Sequence, residues 1–196
     1  MTTFYLIRHA MNDYVGQALA GWLPDVHLNA EGREQAARLA KTLAGAGLTH
    51  IYSSPLERAL ETAVPLAEAS GLAIETREEL GEIRTGNWTG KTFAQLEADP
   101  EWRIYNQYRG GTRVPGGEMM IETQARMVGE IVRLRQAHPR GKVAIVSHAD
   151  PIRAALAFFL GMPIDFYPRM EIQPASVSVV ALEEWGPVIT QMNAVA

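Results

Sequence analysis

The sequence predicts an α/β fold in three layers: a mostly parallel central sheet flanked by helices, with a small helical lid. Short apolar runs of strand length alternate with longer stretches of helical spacing, which is the pattern of strands joined by helical crossovers. The length of 196 residues is typical of one domain, and 47% hydrophobic residues are enough for a buried core. We therefore expect a single domain over residues 1–196, with residues 88–117 as a lid over one end of the sheet.

Five segments have the length and composition of buried strands. Phe4–Ile7 and Val143–Val146 are rich in aromatic and β-branched residues, which favour strands. The other three are Leu48–Ser53, Leu72–Thr76 and Val177–Leu182. Parallel pairing of such strands would bring their carboxyl ends to one edge of the sheet.

Two helices are predicted in the first half of the chain. Asn29 is a candidate N-cap before an apolar repeat of helical spacing over residues 36–44. Residues 54–57, Ser-Pro-Leu-Glu, have the form of a capping box with proline at the first helical position. Pro65 should kink or end this second helix.

Two further helices are predicted in the second half. One runs from about Glu118 to Ala137, and the other starts at the N-cap Asp150, which is followed by Pro151. Residues 88–117 interrupt the alternation of strands and helices and end in glycine-rich turns. Two tryptophans and two tyrosines of this segment are available for packing: Trp88, Trp102, Tyr105 and Tyr108.

Composition excludes several classes of protein. Lysine and arginine number 18 against 22 aspartate and glutamate, and the net charge of −4 argues against a nucleic-acid-binding protein. The absence of cysteine excludes thiolate metal sites and thiol nucleophiles. The longest apolar run, Ala154–Ile164, is shorter than the roughly 20 residues of a membrane span. Phe4–Ile7 is too short for the apolar part of a signal peptide, so we expect a soluble, cytoplasmic protein.

Side chains suited to phosphate chemistry follow four strand ends. They are Arg8, His9, Arg58, Glu82 and His148. Ligands of open α/β sheets bind at the carboxyl ends of strands, and two of these ends lead into helix N-termini, which favour an anion. Arginine can bind phosphate oxygens at two points, histidine can be a covalent nucleophile, and a carboxylic acid can protonate a leaving group. The set predicts phosphoryl transfer without a metal and leaves open which histidine attacks.

Each of these residues, taken alone, also has a structural explanation. Arg58, for example, could pair with Glu57 or Glu61 on its own helix. Adjacent residues of a strand point to opposite faces, so Arg8 and His9 can share a site only if the chain leaves extended geometry near residue 9. Their joint placement at one edge of the sheet is what favours a functional site.

Three other motifs are rejected on spacing. Residues 86–92 have three residues between their glycines, where the phosphate-binding loop of nucleotide hydrolases requires four. Ser147, His148 and Asp150 crowd one strand-to-helix turn, and the sequence lacks the G-x-S-x-G elbow of serine hydrolases. The five histidines show no H-x-x-x-H spacing, so we expect no metal site.

Five blocks, in order between residue 6 and about residue 153, resemble motifs of the histidine phosphatase superfamily, the phosphoglycerate-mutase-like proteins. Ser53–Ala63 is very similar to the block that carries the second arginine of that family. The others are Leu6–Ala10, which resembles the Arg-His-Gly motif, Leu28–Ala36, Leu80–Trp88, which resembles the proton-donor block, and Val146–Ala149, which resembles the second-histidine block.

The resemblance implies a phosphohistidine mechanism. His9 would be the nucleophile, and Arg8, Arg58 and His148 would hold the phosphoryl oxygens. Glu82 would be the general acid for the leaving group and then the base that activates water or another acceptor. The family fold also has a bend after the first strand, which would let Arg8 and His9 serve one site. No cofactor is implied, apart from a bisphosphate primer if the protein is a mutase.

The sequence departs from the family pattern at five positions. Ala10 and Ala149 stand where the family usually has glycine, and Met11 where it often has glutamate or glutamine. Val15 occupies a position at which mutase-like members often have asparagine. Asn12 replaces a common serine or threonine and can still donate a hydrogen bond to phosphate. These changes concern the rim of the phosphate pocket, so they bear on the substrate more than on the reaction class.

The short lid and the apolar residues at positions 11 and 15 favour water as the acceptor. We therefore expect a phosphatase that acts on a small phosphomonoester metabolite. The alternatives are a phosphoglycerate mutase-type phosphomutase and a non-catalytic protein that binds a phosphorylated ligand. Four lid residues are candidates for binding the leaving group: Arg103, Tyr105, Arg109 and Arg113. An exposed sheet edge would permit a homodimer.

Overall fold

The computed structural model describes residues 1–195. Its strands are β1 (Thr2–Arg8), β2 (His50–Ser53), β3 (Ile74–Thr76), β4 (Lys142–Ser147), β5 (Val177–Leu182) and β6 (Pro187–Ala194). Its α-helices are α1 (Ala30–Leu43), α2 (Glu57–Ser70), α3 (Phe93–Glu97), α4 (Pro100–Gln107), α5 (Met120–Ala137) and α6 (Ala149–Phe159). Short 3₁₀ helices cover Glu78–Leu80, Gly86–Trp88 and Ile164–Arg169.

The strands form one sheet in the order β3-β2-β4-β1-β5-β6. The pairs β1/β4, β2/β4 and β2/β3 are parallel, whereas β5 runs antiparallel to β1 and β6 antiparallel to β5. The expected α/β fold with a mostly parallel sheet is confirmed. The sequence does not predict β6, because the exposed and half-buried side chains of this edge strand lack the apolar pattern of a buried strand.

Helices cover both faces of the sheet. Neighbouring residues of β1 point to opposite faces, so Ile7 belongs to the core shared with Leu39 of α1 and Ala63 of α2. Leu6 belongs to the core on the other face, which includes Met127 of α5. The carboxyl ends of β1, β2 and β4 therefore meet at an edge that lies between two layers of helices.

The predicted start of α2 is wrong. The helix begins at Glu57, with Leu56 as an extended N-cap residue, and Ser54 does not cap it. Pro65 does not end this helix, which continues to Ser70 and is followed by the C-cap residue Gly71, with a φ of 67°. A proline inside a helix removes one backbone hydrogen bond, and the buried face of α2 against the sheet offsets that loss.

The predicted cap of α6 is also wrong, whereas that of α1 is confirmed. The Asn29 side chain accepts a hydrogen bond from the backbone N–H of Gly32 at the start of α1. The helix α6 begins at Ala149 with His148 as its N-cap residue, so Asp150 lies in the first helical turn. The Asp150 carboxylate is thereby available for contacts with other elements.

The segment 88–117 is helical, as predicted, and contains α3 and α4. Trp88 is buried and packs edge-on against Trp102 and Tyr105, with ring centroids 5.2 and 5.3 Å away. Its indole N–H donates a hydrogen bond of 3.0 Å to Asp99. The role of this segment as a lid stays a prediction. No helix among residues 1–195 has the length and apolar character needed to cross a membrane.

Candidate active site

The carboxyl ends of β1 and β4 lie side by side at one edge of the sheet. Arg8 is opposite Ser147 in the parallel register of these strands, so the residues that follow, His9 and His148, are neighbours. The backbone N–H of His9 donates a hydrogen bond of 2.8 Å to the Ser147 carbonyl. The two imidazole ring centroids are 5.1 Å apart. The sheet thus brings together two histidines that are 139 positions apart in the sequence.

The chain turns away from β1 directly after Arg8. The backbone N–H of Ala10 donates to the Thr62 hydroxyl oxygen at 2.9 Å, and this hydroxyl donates to the Arg58 carbonyl at 2.7 Å. These bonds fix the bend against α2. As a result Arg8 and His9 line the same cavity. The chain leaves extended geometry near residue 9, as a site shared by these two residues requires.

The imidazole of His9 is held in one orientation and one tautomer. Its Nδ1 lies 2.8 Å from the carbonyl oxygen of Ala10. A carbonyl can only accept, so we assign the proton to Nδ1, which leaves a lone pair on Nε2. Burial, followed by the charges of Arg58 and Arg8, lowers the pKa of His9 well below its ordinary value. The ring is therefore neutral at neutral pH and can act as a nucleophile.

The two arginines beside His9 are buried and only partly paired. Arg58 donates from Nη2 to the Gly21 carbonyl at 2.8 Å, and Arg8 donates from Nη1 to the Ile172 carbonyl at 2.7 Å. The Arg58 Nη1 and the Arg8 Nε have no hydrogen-bond partner among residues 1–195. Because buried donors are almost always paired in proteins, these two N–H groups indicate where an anion can bind.

His148 is fully buried and is oriented by a hydroxyl group. Its Nε2 lies 2.8 Å from the Ser54 hydroxyl oxygen, which accepts a bond of 3.3 Å from the Leu56 N–H. In the described part of the chain this hydroxyl has no other acceptor within hydrogen-bond distance, so we assign its proton to the bond with Nε2 and the imidazole proton to Nδ1. This Nδ1 has no hydrogen-bond partner among residues 1–195. Burial and the charge of Arg58 lower the pKa of His148 well below its ordinary value, so the ring is a neutral donor.

The side chains of two arginines and two histidines form one pocket, which we call the anion cradle; the arginines and His148 present N–H donors to it, and His9 presents its Nε2 lone pair. It consists of Arg8, His9, Arg58 and His148. Glu82 faces it, with a carboxylate oxygen 3.9 Å from the His148 Nδ1. Planar guanidinium groups beside neutral imidazoles match the geometry of a phosphoryl group.

The loop that carries Glu82 is fixed by its backbone. The Glu82 carbonyl accepts hydrogen bonds from the Trp22 indole N–H at 2.6 Å and from the Arg126 Nη2 at 2.9 Å. Arg126 also binds the Gly81 carbonyl and the Glu118 carboxylate. The sequence gives no signal for this arrangement, because Arg126 is one of several arginines along α5 and lies far from Glu82 in the chain.

The Glu82 carboxyl group can exchange a proton near neutral pH. Burial raises its pKa to about 7, and the charge of Asp150 adds to this effect while Arg58 opposes it. One carboxylate oxygen accepts a hydrogen bond of 2.9 Å from the Ile83 N–H. A carboxyl group with this pKa can donate a proton in one step and accept one in the next.

A cavity of about 260 Å³ opens in front of the anion cradle. Five of the residues predicted for reaction or phosphate binding line it: Arg8, His9, Asn12, Arg58 and Glu82. His148 lies directly behind, buried from solvent. The Asn12 side-chain oxygen accepts from the Tyr14 N–H at 2.9 Å, so Asn12 offers its NH₂ group to a ligand. The structure brings these residues together, and their roles in the reaction stay predictions.

Two of the four lid residues predicted to bind substrate reach the cavity. Tyr105 and Arg109 line it. Arg103 points away and donates to the Glu97 carbonyl, and Arg113 forms an exposed ion pair with Glu122. The structure therefore gives no support to a binding role for Arg103 and Arg113, because both side chains are held outside the cavity.

Two charged residues of α6 in the cavity wall, Asp150 and Arg153, are not among the predicted site residues. Asp150, predicted only as a helix cap, lies within ion-pair distance of Arg153 (3.2 Å) and Arg109 (3.7 Å). Arg153 also lines the cavity. The sequence does contain a signal for these two residues. They are an aspartate and an arginine three positions apart, directly after the strand end that carries His148.

The described residues, 1–195, contain no group of three or more histidine, aspartate and glutamate side chains arranged to hold a metal ion. One side of the cavity presents arginine, imidazole and amide donors to a ligand, and the other side presents aromatic side chains. The arrangement can bind a small anion, present a neutral imidazole to it and transfer a proton.

Curated relatives of this chain include both phosphatases and mutases. It is 32% identical over 195 residues to phosphoserine phosphatase 1 of Hydrogenobacter thermophilus, covering 98% of this chain and 92% of the relative. It is 34% identical over 175 residues to a glucosyl-3-phosphoglycerate phosphatase of Mycobacterium tuberculosis, covering 84% and 78%. A probable phosphoglycerate mutase of Escherichia fergusonii is 29% identical over 187 residues, covering 94% and 86%.

A similar solved structure and a matching family model agree with these relatives. YhfR of Bacillus stearothermophilus superposes with a TM-score of 0.93 at 28% identity, covering 100% of this chain and 98% of that structure. The family model of the histidine phosphatase superfamily, branch 1, matches residues 4–195. The family resemblance seen in the sequence motifs is thereby confirmed, and the chain belongs to branch 1 of the histidine phosphatase superfamily.

Proposed function

We propose that this protein is a metal-independent phosphatase that hydrolyses a small phosphomonoester metabolite through a phosphohistidine intermediate. The observation that carries the proposal is the state of His9. Its Nδ1–H donates to the Ala10 carbonyl and its Nε2 keeps a lone pair. Burial and the charges of two arginines lower its pKa. The two phosphatase relatives support hydrolysis as the reaction.

The first step would transfer the phosphoryl group to the enzyme. The Nε2 lone pair of His9 attacks phosphorus, and the bond from phosphorus to the ester oxygen breaks. Glu82, which faces the cradle in its protonated form, gives its proton to that oxygen, and the alcohol leaves. Donors of the anion cradle would hold the other phosphoryl oxygens and stabilise their charge, namely Arg8, Arg58 and the Nδ1–H of His148.

The second step would return the enzyme to its starting state. Glu82, now ionised, takes a proton from a water molecule, and the water oxygen attacks phosphorus. The bond between phosphorus and the His9 Nε2 breaks and inorganic phosphate leaves. A pKa of about 7 suits Glu82 to both steps, because either protonation state is accessible near neutral pH.

The probable mutase among the relatives makes a phosphomutase the second candidate. A mutase has to hold its monophosphate product beside the phosphohistidine until the phosphoryl group returns. Beyond the anion cradle, however, much of the cavity wall is apolar: Val15, Leu19, Phe93, Trp102 and Val114. These side chains offer few polar contacts to a charged product, and the charged groups of the same wall, Arg109, Asp150 and Arg153, pair with one another. We therefore favour water as the acceptor.

A non-catalytic protein that binds a phosphorylated ligand would use the same donors. Such a protein would be expected to have lost the nucleophile or the acid, whereas His9 and Glu82 both line the cavity here. If the protein only binds its ligand, no phosphoryl group should remain on His9 after incubation with a phosphodonor.

The test is phosphate release from a panel of phosphomonoesters in the presence of EDTA. The panel holds an aryl phosphate, phosphoserine, a sugar phosphate and 3-phosphoglycerate. The His9→Ala variant should lose turnover by about 10⁴-fold or more, the scale expected for a missing nucleophile. The matched control is His50→Ala, since His50 lies at the start of β2, at the opposite edge of the sheet. Retained activity in His9→Ala would contradict the mechanism.

If no member of the panel releases phosphate, the mutase reaction is tested next with a bisphosphate primer. Release that depends on His9 and survives EDTA would exclude a binding protein. Its ranking across the panel would begin to identify the substrate.

Three further expectations from the sequence stay predictions. They are a cytoplasmic location, the absence of nucleic-acid binding and the formation of a homodimer. The exposed edge strand β6 is the sheet edge at which a second copy could pair. Light scattering of the purified protein would determine the oligomeric state.

A further inference from the structure

The carbonyl oxygen of Glu82 accepts hydrogen bonds from two different parts of the molecule. The Arg126 Nη2 donates from α5 at 2.9 Å, and the Trp22 indole N–H donates at 2.6 Å. Trp22 belongs to an irregular segment, residues 14–23, which we call the cavity loop because most of its residues line the cavity. Neither bond is made to the Glu82 carboxyl group, so both act on the backbone that carries it.

The Trp22 ring packs closely against that backbone. An ideal Cβ atom at Gly81 would lie 2.2 Å from the Trp22 Cζ2, so the ring occupies the space that a side chain would need. The guanidinium carbon of Arg84 lies 4.2 Å from the ring centroid, which is a cation–π distance. The indole therefore contacts the chain both before and after Glu82.

The cavity loop also holds one donor of the anion cradle. The carbonyl of Gly21, the residue before Trp22, accepts a hydrogen bond of 2.8 Å from the Arg58 Nη2. The loop is itself anchored to the segment 88–117, because the backbone of Leu19 donates to the Lys91 carbonyl at 3.0 Å and accepts from the Gly90 N–H at 2.7 Å. Two consecutive residues thus connect the phosphate side of the site to the acid.

The acid needs such an anchor, because residues 81–85 belong to no helix or strand. A segment of this kind keeps its position only through contacts from other elements. A general acid has to lie within hydrogen-bond distance of the leaving oxygen, and a displacement of about 1 Å can lower the rate by about 100-fold. A donor that fixes the Glu82 backbone can therefore govern the acid step without touching the substrate.

We infer that Trp22 is a positioning residue for Glu82: its indole holds the acid at the distance from the anion cradle that protonation of the leaving group requires. The inference rests on the proposed function, in which Glu82 is the acid. Trp22 is not among the residues of 1–195 that line the cavity, so it acts through the Glu82 backbone.

The first test removes the indole N–H and keeps an aromatic ring. Trp22→Phe should lower kcat/KM for glycerol 3-phosphate by about 10-fold, the upper part of the range for one hydrogen bond. For an aryl phosphate, which leaves with little protonation, kcat/KM should fall by less than about 3-fold. The matched control is Trp88→Phe, which loses an indole bond to Asp99 and should lower both values by the same factor. Equal slowing of the two esters in Trp22→Phe would overturn the inference.

A double variant separates positioning from a general loss of structure. If Trp22 acts through Glu82, adding Trp22→Phe to Glu82→Gln should change kcat/KM for glycerol 3-phosphate by less than about 2-fold. The full loss in both backgrounds would show that Trp22 acts elsewhere and would overturn the inference.

A further measurement does not depend on turnover. The backbone N–H groups of Gly81, Ile83 and Arg84 are hydrogen-bonded, so their hydrogen exchange reports whether this segment is held. In Trp22→Phe, the peptide that contains them should exchange about 10-fold faster, whereas Trp88→Phe should leave its exchange unchanged. Unchanged exchange in Trp22→Phe would contradict the anchoring role.

A second substitution reaches the same contact from the other side and does not depend on the folding of Trp22→Phe. In Gly81→Ala, the added methyl group would push the indole away from the Glu82 carbonyl. Faster exchange and a loss selective for the alkyl phosphate are expected here too. Exchange and an alkyl-to-aryl ratio equal to those of the wild-type protein would overturn the inference.

Failure of the positioning role and failure of the proposed function give different results. If Glu82→Gln slows the alkyl phosphate selectively and Trp22→Phe does not, only the positioning role is wrong. If no ester releases phosphate but exchange is faster in Trp22→Phe and not in Trp88→Phe, the proposed function is wrong and the anchoring of the segment by Trp22 stands.

Discussion

The two sides of the cavity are built in different ways. The anion cradle comes from the ends of adjacent strands, and its side chains are held by backbone carbonyl groups and by buried hydroxyl groups, as for Arg58 and His148. The opposite side comes from the segment 88–117 and the start of α6. There Trp102, Tyr105 and Arg109 are held mostly by one another and by other side chains.

This difference separates the reaction from the choice of substrate. The backbone of Arg8, His9 and His148 is fixed by the pairing of β1 with β4, so most of the cradle is tied to the stability of the sheet. The opposite side consists of short helices whose side chains can change without affecting strand pairing. We therefore expect the sheet to govern the proposed phosphoryl transfer, and the segment 88–117 and α6 to govern which ester is accepted.

The largest effect is expected for Glu82, at the boundary between the two sides. Glu82→Gln should lower kcat/KM for alkyl phosphates by about 10²- to 10⁴-fold, because these leaving groups need a proton. Aryl phosphates, which leave with little protonation, should lose much less. Steady-state kinetics with glycerol 3-phosphate and an aryl phosphate measure this, with Glu79→Gln, an exposed neighbour, as the control. Equal slowing of both esters would exclude Glu82 as the acid.

Packing in the segment 88–117 can be removed without changing any side chain of the cradle. Trp88→Ala should lower the free energy of unfolding by about 3–5 kcal/mol, the usual cost of removing a buried tryptophan. Its side chain is 1% exposed and packs against two aromatic rings. Trp185→Ala is the control, since Trp185 is 78% exposed and its loss should cost less than about 0.5 kcal/mol. Urea unfolding curves that coincide for the two variants would show that the lid is not part of the core.

A smaller effect is expected on the pH dependence of activity, because the charge of Asp150 acts on the pKa of Glu82. Glu82 must be protonated to act as the acid, so kcat/KM for an alkyl phosphate should fall as pH rises through about 7, its pKa. The negative charge of Asp150 helps to raise that pKa. Asp150→Asn should therefore lower the pKa of Glu82 and move the decline to lower pH. Profiles of kcat/KM against pH are measured for the wild-type protein and for Asp150→Asn. Profiles that coincide, or a decline at higher pH in Asp150→Asn, would contradict this coupling.

The smallest effect is expected at Arg113. Its guanidinium is exposed and paired with Glu122, outside the cavity. Arg113→Gln should leave kcat/KM for the esters of the panel nearly unchanged, because exposed ion pairs contribute little. A marked rise in KM would restore the substrate-binding role that the sequence suggested for this residue.

The sequence predicts the cradle side well, for a physical reason. Arg8, His9 and His148 lie at the ends of apolar strands, and Arg58 lies in the first turn of the helix that follows another strand, so local pattern and family motif agree on where they lie. The sequence does not predict β6, because an exposed edge strand lacks the apolar alternation of a buried one.

The other side depends on contacts between distant segments. The Arg109 guanidinium is placed by Tyr167 and Asp150, which lie on other elements, and no local pattern distinguishes it from Arg103 or Arg113. The sequence predicts Asp150 as a helix cap, because an acidic residue before proline is a common start of a helix. The helix begins earlier than this pattern suggests, and the carboxylate is free to pair with arginines.

The most direct test of the central proposal is detection of the phosphoryl enzyme. The wild-type protein is mixed with an aryl phosphate in EDTA, quenched rapidly under conditions that preserve phosphohistidine, and measured by intact mass and peptide mapping. We expect the added mass of one phosphoryl group, located on His9, and none in the His9→Ala variant. Phosphate release with no phosphoryl group on the protein, or with the group on a residue other than His9, would contradict the proposed mechanism.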